Sequence, residues 1–229
     1  MQSEQQPDSE NPNTEVEQDH GYRSGDALDM DQEQRIELLK VSSNALVTRL
    51  TQVVEQALGR MGEEISALAM KKSDEQEQKT LLEAASLIGR AKSQVEAGFK
   101  ARYAKLFEQK LFNTPTLGLS DDPDQELALV DNSFIRDKLK RERLVNRTRS
   151  KLESEEVLGL RARLAALIER DWFDENNHPG APEFVYEALQ LAIANVGDDE
   201  QVRFTLLEAF EPYLSANLNG IYAKVNAYL

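Results

Sequence analysis

From Arg35 onward, Ile36, Leu39, Ser43, Leu46, Leu50, Val53 and Ala57 recur at alternating spacings of three and four. That rhythm places them on one face of a helix and predicts a short heptad seam. Met61, Ile65 and Leu68 continue the face after a step of four, a local stutter. Gly59 and Gly62 weaken this helix by about 1 kcal/mol each relative to alanine. Its end is expected at Met70–Lys72, where two lysines suit the negative end of the helix dipole. Ser73 then offers a cap for a second helix, with Gln76 completing a capping box and Asp74, Glu75 and Glu77 in the first turn. Leu81, Leu82, Ala85, Ile88, Val95, Phe99, Tyr103, Leu106, Phe107 and Phe112 carry its apolar face. It runs for about 40 residues, on the order of 60 Å. Two long helices joined by so short a connection predict an antiparallel hairpin. The clustering of Phe99, Tyr103 and Phe107 predicts that the far end of the second helix packs on more than the first.

Asn113 to Gln125 reads as a loop, rich in proline and aspartate. Leu127, Leu129 and Val130 form a brief apolar run, the chain turns at Asp131–Ser133, and a basic helix follows, broken at Ser150 or Ser154. Leu158, Leu160, Leu164, Leu167 and Ile168 mark another helix, expected to end near Trp172. Residues 174–182, DENNHPGAP, form a turn-rich linker, with Pro182 suited to the first position of a helix running to Gly197. Asp198 and Asp199 are candidate caps for a last helix, which Pro212 is expected to kink. Leu214, Leu218, Ile221, Tyr222, Val225 and Tyr228 continue its apolar face to Leu229, which falls in mid-pattern. This suggests a piece of a longer protein or an apolar end that docks on something. No stretch alternates with a period of two, so the expected fold is all-α. A disordered acidic tail (1–33) precedes a long antiparallel helical hairpin (34–112), an acidic loop (113–132) and a small C-terminal helical bundle (133–229).

Composition narrows the functional classes. Of 229 residues none is cysteine, which removes disulfides, thiolate catalysis and Cys-ligated zinc. Residues 1–30 hold almost no large apolar side chains, too few to offset chain entropy. No apolar run approaches the roughly 18 residues that cross a bilayer, and the N-terminus lacks the basic start and apolar core of a signal peptide. The expectation is a cytoplasmic protein without membrane insertion. The net charge of −14 hides blocks: residues 1–34 carry ten acids and one base, whereas residues 136–170 carry eleven bases and six acids. One basic block therefore lies among acidic ones, and the fold can satisfy it internally.

Candidate chemistry is sparse. His20 lies in the acidic tail and His178 in the turn-rich linker, where a solvated turn histidine is expected. Neither has a second histidine at i+4 to bind a metal. The phosphate-binding glycine loops and the nucleophile elbow are missing, so no cofactor is expected. Adjacent acids such as Glu63-Glu64, Asp121-Asp122 and Asp198-Asp199 suit helix faces, loops and caps. The strongest candidate is the basic run Arg136, Lys138, Lys140, Arg141, Arg143, Arg147, Arg149 and Lys151. Arg136, Lys140, Arg143 and Arg147 fall close together around a helix axis, a stripe that suits phosphates. The competing expectation, a face paired with nearby acids, is favoured because no aromatic side chain interleaves the bases.

The stretch LALVDNSFIRDKLKRERLVNRTR, with Leu127, Leu129, Val130, Asp131, Arg147 and Arg149, resembles a large proteobacterial family known as a domain of unknown function. Asp174, Asn177, Pro179 and Pro182 follow that family's linker pattern, with His178 and Gly180 as departures. Val202, Arg203, Leu207, Phe210 and Tyr213 resemble a later segment, and Leu218, Tyr222 and Asn226 the closing one. The resemblance covers roughly residues 45–229 and implies the N-terminal helical part of a longer regulatory or scaffold protein. Some members carry a thymidine phosphorylase-like label, which the missing phosphate loop argues against. Some long members are related to cyclic-di-GMP receptors of the PilZ type, in a region that would lie beyond Leu229. The expected function is a non-enzymatic helical scaffold or interaction module with a protein partner or self-association. The alternative is an anion binder for nucleic acid or a cyclic dinucleotide, using Arg136, Lys140, Arg141, Arg143, Arg147 and Arg149.

Overall fold

Asp31 opens the first helix, α1 (Gln32–Ala69), through a capping box. Its carboxylate accepts the Gln34 N–H at 2.8 Å, and the Gln34 side-chain oxygen accepts the Asp31 N–H. In α2 (Glu75–Phe112) the cap is Asp74 rather than Ser73: its carboxylate accepts the Glu77 N–H at 2.7 Å. A carboxylate favours that end of the dipole more than a hydroxyl does. The computed structural model describes residues 31–112, 132–170, 173–174 and 178–229; for 112 and 132–137 it describes the backbone alone. Most of the acidic tail and of the acidic loop expected from the sequence lies outside the described residues.

The remaining elements are α3 (Asn132–Arg149), α4 (Ser154–Leu167), α5 (Pro182–Ala194) and α6 (Glu200–Asn226). The fold is all-α, and α1 and α2 form the expected long hairpin. Pro182 starts α5 and the Asp199 carboxylate caps α6 by accepting the Val202 N–H, both as the sequence suggests. Pro212 lies inside α6, which continues past it to Asn226. Two ends come earlier than expected. α5 stops at Ala194 instead of Gly197, and α4 stops at Leu167 instead of Trp172. At the latter, Glu169 turns left-handed (φ 54°), with Glu169 N–H to Ala166 and Arg170 N–H to Ala165 closing a Schellman motif. Glutamate occupies a position where glycine is usual, and its carboxylate pairs with Arg35 of α1.

The hairpin is not a free arm of two helices. α1 packs on α2, α4 and α6, while α2 packs on α5 and α6. Accordingly α1 buries Val47, Val54 and Leu58 beside the expected seam of Leu39, Leu46, Leu50, Val53 and Ala57. A two-helix seam would leave the former wet. Ile36 and Leu68, assigned to the seam, are exposed, and Ser42 rather than Ser43 is buried, its hydroxyl donating to the Leu38 carbonyl. Phe99, Tyr103 and Phe107 are buried, consistent with the wider packing expected at that end of α2. Close approach explains Gly98: a Cβ there would sit 3.3 Å from the Ala192 Cβ, so α2 and α5 nearly touch backbones. Gly89 differs, because a Cβ would meet nothing within 4 Å. Gly89→Ala is therefore expected to stabilise the fold by about 1 kcal/mol. The readout is a higher urea midpoint at unchanged slope; no gain would mean that the groove at Gly89 is occupied.

Candidate functional site

Five helices converge on the turn His178–Pro182. The Tyr103 hydroxyl of α2 donates to the Pro179 carbonyl at 3.2 Å, and the Tyr222 hydroxyl of α6 donates to the Gly180 carbonyl at 2.6 Å. Arg161 of α4, itself buried, donates from Nη2 to the Phe173 carbonyl at 2.7 Å. Arg149 of α3 pairs with Glu183 in the first turn of α5. Buried carbonyls need such donors, because water cannot reach them. Gly180 is tightly packed: a Cβ would lie 2.7 Å from Leu160 Cδ2, so the Leu160 side chain would have to shift to admit one. Burial raises the phenol pKa of both Tyr103 and Tyr222, which keeps them protonated as donors.

His178 is 1% exposed, so the expectation of a solvated turn histidine is corrected. The turn is drawn inward because its two carbonyls are clasped from opposite helices, and the ring follows. Neither ring nitrogen has a hydrogen-bond partner among the described residues. Burial first, then the Arg161 and Arg149 guanidiniums, lowers its pKa to about 3, against a smaller opposing pull from Asp174. The ring is neutral at any ordinary pH.

The basic helix meets acids in register. α3 runs in the same direction as α6, so Lys140 pairs with Glu200 at 3.2 Å, Arg147 with Glu208 at 3.2 Å and Lys151 with Glu211 at 2.7 Å. Arg141 donates to the Gln190 side chain at 2.8 Å. Lys140 also lies over the Phe204 ring, 5.0 Å from its centre. Burial alone would raise the Glu211 pKa, but hydrogen bonds from Lys151 and Ser215 outweigh it and the net shift is downward. Lys138 and Arg143 are exposed and have no partner among the described residues. The side chain of Arg136 lies outside the described residues. Beneath the pairs, Thr148 is buried and its hydroxyl meets the Tyr186 hydroxyl at 2.8 Å.

Two open concavities flank the hairpin. One, about 590 Å³, runs between α1 and α2 and includes Gly59, Gly62, Gly89, Glu63 and Lys92. The other, about 630 Å³, separates the hairpin tip from α6. It is lined by Ile65, Leu68, Leu81, Phe204, Ala209 and Pro212, among others. Lys72, Glu77, Lys140 and Glu208 stand around it, and each has an ion-pair partner.

A family model described as "Protein of unknown function (DUF1631) N-terminal domain" matches residues 34–229. The chain belongs to this DUF1631 family. No curated protein and no solved structure matches it. The residues through which the chain resembles its family turn out to be architectural in this DUF1631 domain. Pro179 and Gly180 supply the clasped carbonyls, and Pro182 starts α5. Phe210, Leu218 and Tyr222 are core, and Asn226 donates to the Glu156 carbonyl at 2.9 Å. Arg147 and Arg149 hold acids of α6 and α5. Sequence reasoning missed Tyr103, Arg161 and Tyr222 as a polar group around the turn. One signal was present: Arg161 stands three residues before Leu164, on the apolar face of α4. Among the described residues, no helix is long and apolar enough to cross a membrane.

Proposed function

We propose that this domain is a non-enzymatic helical interaction module that receives an apolar helix of a protein partner in the cleft between the hairpin tip and α6. The observation that carries this reading is the cleft itself, concave, largely apolar and framed by charges that already have partners. Such a rim favours neither an anionic nor a cationic ligand and suits a helix-in-groove mode. Leu68, 46% exposed, and Met70, 70% exposed, extend the apolar surface at the tip. Pro212 adds one polar feature. It has no N–H, so the Glu208 carbonyl one turn back lacks its helical donor and can accept from the incoming helix.

The alternative reading, an anion binder, has Lys138 and Arg143 as its exposed bases. The other described bases of the run have acidic or amide partners within the chain, which favours the helix-docking reading. One experiment separates the two. Partner recovery from native lysate is compared for the wild type, Leu68→Glu/Phe204→Glu, and Lys138→Glu/Arg143→Glu. Loss of a defined protein only in the cleft variant is the expected outcome. Loss of nucleic acid or cyclic dinucleotide only in the charge variant, with salt-sensitive binding, would replace the proposal with the anion reading.

A further inference from the structure

The turn His178–Pro182 is held by tyrosine hydroxyls from α2 and α6, and at its start sits a buried titratable ring without a partner among the described residues. We propose that His178 is a proton-operated latch, whose protonation releases the turn and the start of α5 from the rest of the core. The charged groups around it make the direction clear. Arg149 of α3 and Arg161 of α4 set a positive potential at the ring, and Asp174, which is exposed, opposes them weakly. Glu183 of α5 is engaged by Arg149 through Oε1, while its Oε2 is buried without a partner among the described residues, and Tyr103 of α2 and Tyr222 of α6 are neutral donors occupied by the turn's own carbonyls. A proton on the ring therefore meets like charge and, among the described residues, no hydrogen-bond acceptor at either nitrogen, so the imidazolium gains stability by reaching water.

Release of the ring has a defined structural consequence. The Ala181 N–H donates to the His178 carbonyl at 2.9 Å and the Phe184 N–H to the Ala181 carbonyl at 3.1 Å. These bonds and the two tyrosine bonds hold the turn under Leu160, against whose side chain Gly180 packs closely. Withdrawal of His178 undoes the set together, freeing the first turn of α5. The sign follows from linkage. Both states are deprotonated well above pH 6.5, and there the latch is closed. Below that pH the open state takes up a proton that the closed state refuses, so the closed state weakens as pH falls toward about 3.

The test uses the full chain, which has only two histidines, His20 and His178. Proton NMR from pH 8 to 5 reads both imidazoles, and hydrogen exchange reads amide protection corrected for intrinsic rates. The imidazole signal that is absent from a His178→Phe variant is expected to stay neutral across this range. Protection at Ala181 and Phe184 is expected to fall about tenfold per pH unit below 6.5. Protection at Leu46 and Leu50 of α1 is expected to stay well above that at Ala181 and Phe184 at every pH, and His178→Phe to abolish the fall at α5. Titration of the His178 ring near 6.5 would overturn the proposal. Protection at Ala181 and Phe184 equal to that at Leu46 and Leu50 at every pH would also overturn it, because that marks global unfolding rather than a local latch. Should the variant fail to fold, the wild-type titration and exchange pattern still decide.

Discussion

Phe99→Ala is expected to lower the unfolding free energy by about 3–5 kcal/mol, a large part of a typical domain's 5–15. Phe99 is fully buried and stacks on Tyr103, ring centres 5.7 Å apart and planes 14° apart. It follows Gly98, where α2 and α5 are already in near-backbone contact. The neighbours cannot move closer to fill the space, so the lost burial and the residual cavity both count. Leu82→Ala serves as the control, since Leu82 is 40% exposed on the same helix and should cost under about 1 kcal/mol. Urea unfolding followed by far-UV circular dichroism measures both. A cost for Phe99→Ala no larger than for Leu82→Ala would mean that α2 and α5 do not pack as described.

Removing both hydroxyls that clasp the turn, in Tyr103→Phe/Tyr222→Phe, is expected to cost about 2–5 kcal/mol while leaving the helix content unchanged. The rings stay, so no cavity forms. What is lost is the donor to two buried carbonyls, at Pro179 and Gly180, each left with a desolvation penalty. Alkaline pH supplies an independent check. Both phenols are raised above 10 by burial, so their stabilising bonds are fully present below pH 10. Above it the unfolded chain releases protons that the folded chain keeps, and stability falls. The double variant should lose that part of the alkaline decline. Single variants that cost nothing, with an undiminished alkaline decline in the double variant, would show that the turn carbonyls find other donors.

Most of the secondary structure was legible because it depends on neighbours in sequence. The three-and-four spacing of Leu39, Leu46, Leu50 and Val53, Pro182 at a helix start and an aspartate at Asp199 act within one or two turns. The hairpin followed from two long faces joined by a short connection. The end of α4 was less legible, since Glu169 takes a left-handed cap without the glycine that normally announces it, and its Arg35 partner lies far off in sequence.

The basic helix shows where local reading stops. Its charge was evident, but whether Arg147 faced solvent or Glu208 depended on α3 and α6 running in the same direction, a property of the chain path. His178 makes the same point more sharply. Within DENNHPGAP every local cue indicates a wet turn. Tyr103, 75 residues earlier, and Tyr222, 44 residues later, draw that turn inside by donating to its carbonyls. By itself, then, the sequence determined an all-α chain, its hairpin and its family, because periodicity and caps are short-range. The buried histidine, the neutralised bases and the apolar cleft were decided by tertiary structure alone, because each depends on which distant side chains share one low-dielectric space.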